Sequence, residues 1–69
     1  MAIVNKKLGE KLRKIRIQRK RTQEDVAYEA KIDYSFYNQV ENGKRNVSVR
    51  RLAKIAKALG VTTKDLIDF

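Results

Sequence analysis

Between positions 5 and 20 the apolar residues Leu8, Leu12 and Ile15 recur at spacings of four and three, separated mainly by lysine and arginine. That rhythm predicts a helix over about Asn5 to Lys20 with one buried stripe and a basic outer face. Similar patterning continues along the chain. Val26, Ala27 and Ala30 mark a second helix from about Gln23 to Ala30, and Phe36, Tyr37 and Val40 mark a third, from a cap at Asp33 through Asn42. Leu52, Ile55, Ala56 and Leu59 form the inner face of a fourth, and Leu66 and Ile67 sit on a short last helix. No segment shows the alternation of a strand with turn residues at both ends. The expected class is all-α, five short helices with tight connections.

The boundaries carry their own chemistry. Thr22 with Asp25, and Thr62 with Asp65, have the three-residue spacing in which two side chains satisfy the free N–H groups of a helix start. Asp33 and Ser48 are single caps. Gly43 and Gly60 stand where a left-handed residue closes a helix. The second and third helices are joined by Lys31, Ile32 and the cap alone, and so short a connection forces a sharply angled pair, the geometry of a helix-turn-helix over about residues 23–42.

The third helix holds three of the chain's five aromatic residues. At about 100° per residue, Phe36, Val40 and Tyr37 share an arc of roughly 100° and face inward, with Tyr37 at the edge of the core. Tyr34, Asn38, Asn42, Ser35 and Gln39 fill the arc from roughly 160° to 300°. Tyr34, Ser35, Asn38 and Gln39 therefore present neutral hydrogen-bonding groups outward. Such groups can read base edges in a major groove without the indiscriminate pull of charge. Glu41 falls between core and solvent and needs a partner there.

Charge then selects the kind of partner. The 69 residues include 17 Lys and Arg against 8 Asp and Glu, a formal net charge of +9. A polyanion is the default partner, nucleic acid ahead of an anionic membrane surface. The membrane is disfavoured because the stripes of the first and fourth helices can pack on each other. The chain has no cysteine and no histidine. Disulfides, thiolate zinc sites and the usual nucleophile-base pairs are thereby excluded, and neither an enzyme nor a metal or other cofactor is expected. Ala2-Ile3-Val4 is too short for a signal-peptide core, so a cytoplasmic protein is expected. No small-molecule ligand is evident.

The segment TQEDVAYEAKIDYSFYNQVENGKR, with LGEKLRKIR before it and LAKIAKALGV after it, resembles the Cro/phage-repressor (XRE) family of helix-turn-helix DNA-binding domains. The likeness spans Leu8 to Leu66. It implies a five-helix, lambda-repressor-like fold filling residues 1–69 as one domain. Tyr34, Ser35 and Gln39 match the family's base-reading positions. Thr22, Gln23, Asn42, Lys44, Arg45 and Asn46 match positions that grip the phosphate backbone, and Gln23 also matches a glutamine that braces the third helix. Arg16 and Glu41 match a partly buried ion pair between the first and third helices.

The chain departs from that pattern in several places. Lys31 stands at a turn position where glycine is usual, Lys20-Arg21 replaces a usual Gly-Leu, and Tyr37 occupies the place of a branched aliphatic. Tyr34 is larger than most residues at its position. The resemblance implies a sequence-specific regulator of transcription, binding a palindromic operator in double-stranded DNA as a homodimer, with Leu66, Ile67 and Phe69 as candidates for the dimer surface. Phage-type repressors, antitoxins and restriction-modification controller proteins all use such chains, the last being similar in length and in the TQEDVAY region. An antitoxin-like or protein- or RNA-interaction module on the same fold is the alternative.

Overall fold

The computed structural model describes residues 2–3 and 6–67. Five helices follow one another: α1 (Lys6–Gln18), α2 (Gln23–Ala30), α3 (Tyr34–Glu41), α4 (Val49–Leu59) and α5 (Thr63–Ile67). One feature departs from the all-helical expectation. Ala2–Ile3 (β1) and Val47–Ser48 (β2) form a two-residue antiparallel pair, with Ala2 opposite Ser48 and Ile3 opposite Val47. A strand this short is too brief for alternation to register in the sequence. Its partner lies more than forty residues away.

The helices begin as their side chains dictate. Thr22 Oγ1 accepts from the Asp25 N–H while Asp25 Oδ2 accepts from the Thr22 N–H, both at 3.0 Å. Thr62 and Asp65 repeat the exchange before α5, at 3.0 and 3.2 Å. Asp33 caps α3 through the Phe36 N–H and Ser48 caps α4 through the Arg51 N–H, each at 3.1 Å. These oxygens occupy donors that the first turn leaves without a helical partner. Asn5, the expected start of α1, lies outside the described residues.

Four helices end alike. Each closes on a left-handed residue whose successor donates back five positions: Arg21 to Arg16, Ile32 to Ala27, Lys44 to Gln39 and Val61 to Ala56, at 2.8–3.0 Å. Glycine serves at Gly43 (φ 72°) and Gly60 (φ 75°). Lysine serves at Lys20 (φ 56°) and Lys31 (φ 58°), where the side chain strains the backbone by about 1 kcal/mol. The turn after α2 therefore keeps the geometry that glycine would adopt.

The core joins all five helices and β2. Leu8 and Leu12 of α1, Val26 of α2, Leu52 and Ile55 of α4 and Leu66 of α5 are buried almost completely. Tyr37 is not at the edge of this core but inside it, with no exposed surface. Phe36 and Ile15 pack against its border. Among the described residues no helix is long and apolar enough to cross a membrane.

Candidate nucleic-acid interface

The second and third helices meet at the tight turn and leave one side of α3 uncovered. Tyr34 and Ser35 are exposed and Gln39 half-exposed, so the polar arc expected from the sequence faces solvent. Gln39 Nε2 donates to Ser35 Oγ at 3.4 Å, one turn away. That bond is long, and it leaves the Gln39 carbonyl available to an incoming donor.

Behind the arc runs a chain of hydrogen bonds that begins at Glu41. Arg16 approaches its carboxylate in a fork, Nε to Oε2 and Nη2 to Oε1, both at 3.0 Å, and Arg16 Nη1 donates to the Arg21 carbonyl at 2.9 Å. The pair expected from the resemblance is thus present, joining α1 to α3 and to the segment before α2. Gln23 Nε2 donates to Glu41 Oε1 at 3.0 Å, Asn38 Nδ2 donates to Gln23 Oε1 at 2.8 Å, and Asn42 Nδ2 donates to Asn38 Oδ1 at 3.2 Å.

The ionised carboxylate can only accept, so it fixes the direction of every amide beyond it. Asn38 is consequently engaged at both ends. The groups of α3 least occupied by other side chains are those of Tyr34, Ser35 and Gln39, with one N–H of Asn38 also free of these bonds.

Electrostatics hold the chain of bonds in this state. Burial pushes the Glu41 pKa up, but hydrogen bonds from Arg16 and Gln23, with the charge of Arg16, outweigh it and keep the carboxyl below its ordinary value. The Tyr37 hydroxyl lies beside this pair, buried, without a hydrogen bond of regular geometry. Burial first, and then the nearby Glu41, raise its pKa far above that of a free phenol. It stays neutral, as an apolar interior requires.

The remaining predicted contacts lie at the two ends of this surface. Thr22 and Gln23 open α2, where the Thr22 hydroxyl still has its own proton to donate. Asn42 at the end of α3, with Lys44, Arg45 and Asn46 in the loop toward β2, is exposed. Beyond them stands Arg51 in the first turn of α4, which the sequence reading did not single out; the Arg45 and Arg51 guanidinium carbons lie 5.3 and 5.0 Å from the centre of the Phe36 ring. Only the third dimension brings those three together.

The apolar candidates for a dimer surface divide. Leu66 is fully buried in the chain's own core, so it is removed from that set, because a side chain with no exposed surface cannot meet a second copy. Ile67 is exposed. Phe69 lies outside the described residues.

A helix seated by an amide network with its polar arc open to solvent, preceded by a capped helix and a tight left-handed turn, defines a helix-turn-helix protein. The helix-turn-helix family model matches residues 12–66, and the chain belongs to that family, of XRE type. It is 44% identical over 62 residues to the control protein C.BamHI of Bacillus amyloliquefaciens, covering 88% of this chain and 76% of the relative. To the control protein C.MunI of a Mycoplasma species it is 41% identical over 61 residues, covering 87% and 82%. The crystal structure of the restriction-modification controller protein C.AhdI from Aeromonas hydrophila superposes with a TM-score of 0.88 at 35% identity, covering 90% of this chain and 94% of that one.

Proposed function

We propose that this protein regulates transcription by binding a palindromic operator in duplex DNA as a homodimer, and that the genes it controls belong to a restriction-modification system. The observation that carries the reading is the exposed arc of Tyr34, Ser35 and Gln39 on a helix whose rear is locked to α1 and α2 through Glu41. A rigid neutral arc suits base edges in the major groove, and the cations around it suit phosphates. Similarity to the control proteins C.BamHI and C.MunI, and to the restriction-modification controller protein C.AhdI, supports the choice of target genes.

Dimerisation follows from the arithmetic of recognition. One α3 contacts too few base pairs to select a genomic site, and two copies about 34 Å apart would double the number read. Exposed Ile67 on α5 would contribute to the contact between copies. A regulator of this kind acts in the cytoplasm, where the DNA is.

The test is selection of bound duplexes from a random pool, followed by titration of the recovered sequence. A palindrome bound by two chains is the expected result. Recovery of no common sequence, or equal binding to structured RNA, would overturn the proposal.

A further inference from the structure

Phe36 is half-buried between the core and the polar arc of α3, and two guanidinium groups converge on it. Arg45 comes from the loop after α3 and Arg51 from the first turn of α4, with their guanidinium carbons 5.3 and 5.0 Å from the ring centre. The two charges are thus no farther apart than those distances together. Among the described residues neither takes part in an ion pair. Asp33, a carboxylate lining the cleft beside the ring, caps α3 through one oxygen on the Phe36 N–H and makes no ion pair with either arginine.

Two like charges with no carboxylate in direct ion-pair contact repel each other, and the negative face of the ring and the more distant Asp33 offset only part of that repulsion. An anion arriving between or beside them relieves the rest. The ring also restricts two long side chains before any ligand arrives, which lowers the entropy lost on binding.

The location identifies the anion. Around α3, Gln39 lies between Ser35 and Phe36, whereas Asn38 and Asn42 border the opposite flank, where Gln23 stands. A groove that receives α3 is bounded by two phosphate strands. The Gln23 flank would meet one strand and the Phe36 flank the other.

We propose that Phe36 holds Arg45 and Arg51 as a paired guanidinium site for the DNA backbone, making Arg51 a phosphate-contacting residue and Phe36 the positioning residue for both arginines. This rests on the DNA-binding reading above. Arg45 was expected at the backbone from its place in the loop. The roles of Arg51 and Phe36 follow from the stacking.

The experiment measures binding of the whole chain to a short mixed-sequence duplex across a range of salt concentrations, since phosphate contacts carry no sequence information. Arg51→Ala should flatten the slope of log K against log salt by about 0.9. It should also weaken binding about two- to fivefold at physiological salt. Phe36→Leu keeps an apolar side chain against the core but removes the aromatic face. It should lower affinity and shrink the further effect of Arg51→Ala, while Phe36→Tyr retains wild-type binding.

An unchanged slope in Arg51→Ala, against a steep wild-type slope, would overturn the paired site and leave the DNA-binding reading standing. Independent, additive losses from Phe36→Leu and Arg51→Ala would remove the positioning role. A wild-type chain that binds no duplex would end both proposals.

Discussion

A side chain on Gly9 would run into the carbonyl oxygen of Glu41 and stand 2.9 Å from its carbonyl carbon, so α1 and α3 meet there backbone to backbone. The same α3 residue receives Arg16 through its side chain, two turns farther along α1. Main chain and side chain of Glu41 together therefore set the position of α3 against α1.

Gly9→Ala checks that close approach. Alanine favours a helix interior by about 1 kcal/mol over glycine, yet overpacking against backbone costs about 1–3 kcal/mol and cannot be relieved by a rotamer change. Denaturant unfolding should show a net loss of stability. Gained stability would mean that α1 and α3 separate easily.

Arg16→Met should cost about 3 kcal/mol at neutral pH, because it strands a buried carboxylate whose side chain is only 1% exposed. The variant's deficit should narrow on acidification. Without Arg16, burial is opposed only by the hydrogen bond from Gln23 and by the nearby Tyr37 hydroxyl, so the Glu41 pKa should rise and protonation should cost the variant less than the wild type. Unfolding curves of the two proteins at several pH values report this directly.

The wild type itself should weaken in acid. Glu41 is held below the ordinary 4.5 by hydrogen bonds that outweigh burial. Asp25 and Asp65 are held below 3.8 first by the backbone N–H groups of Thr22 and Thr62. A depressed carboxyl stabilises the fold above its unfolded pKa and loses that contribution as pH falls through the folded value. The unfolding midpoint should stay level down to about pH 5 and then decline. A midpoint that rises below pH 4.5 would contradict the assignment.

Lys31→Gly should raise stability by up to about 1 kcal/mol, since glycine takes the left-handed conformation without steric cost. The gain should appear in the thermal midpoint. The turn should keep its shape, as the backbone bonds from Lys31 and Ile32 require, so any loss of DNA affinity should be limited to the salt-dependent share of the one cation removed.

Gln39→Ala should lose about 1–3 kcal/mol on the selected operator and little on random duplex. Arg45→Ala should weaken both and reduce the salt slope. Comparable losses of Gln39→Ala on the two DNAs would exclude Gln39 from base reading.

The existence of the five helices was readable from local chemistry, whereas the two short strands were not. Thr22, Asp33, Ser48 and Thr62 announce helix starts because each cap acts within three residues, and the stripe of Leu52, Ile55 and Leu59 repeats within two turns. The polar arc of α3 was readable for the same reason: helical periodicity converts position directly into direction. The resemblance added the partner of Glu41, which spacing alone left open.

What the sequence by itself determined, then, is the order of helices, their caps, their apolar faces and the outward polar arc, all consequences of interactions spanning a few residues. Tertiary structure alone decided that Tyr37 is sealed inside, that Gly9 admits the backbone of α3, that Ala2–Ile3 pairs with Val47–Ser48, and that Arg45 and Arg51 share Phe36. Each of these depends on groups far apart along the chain or on different elements. Such contacts leave no periodic trace, because packing density and distance exist only once the helices have met.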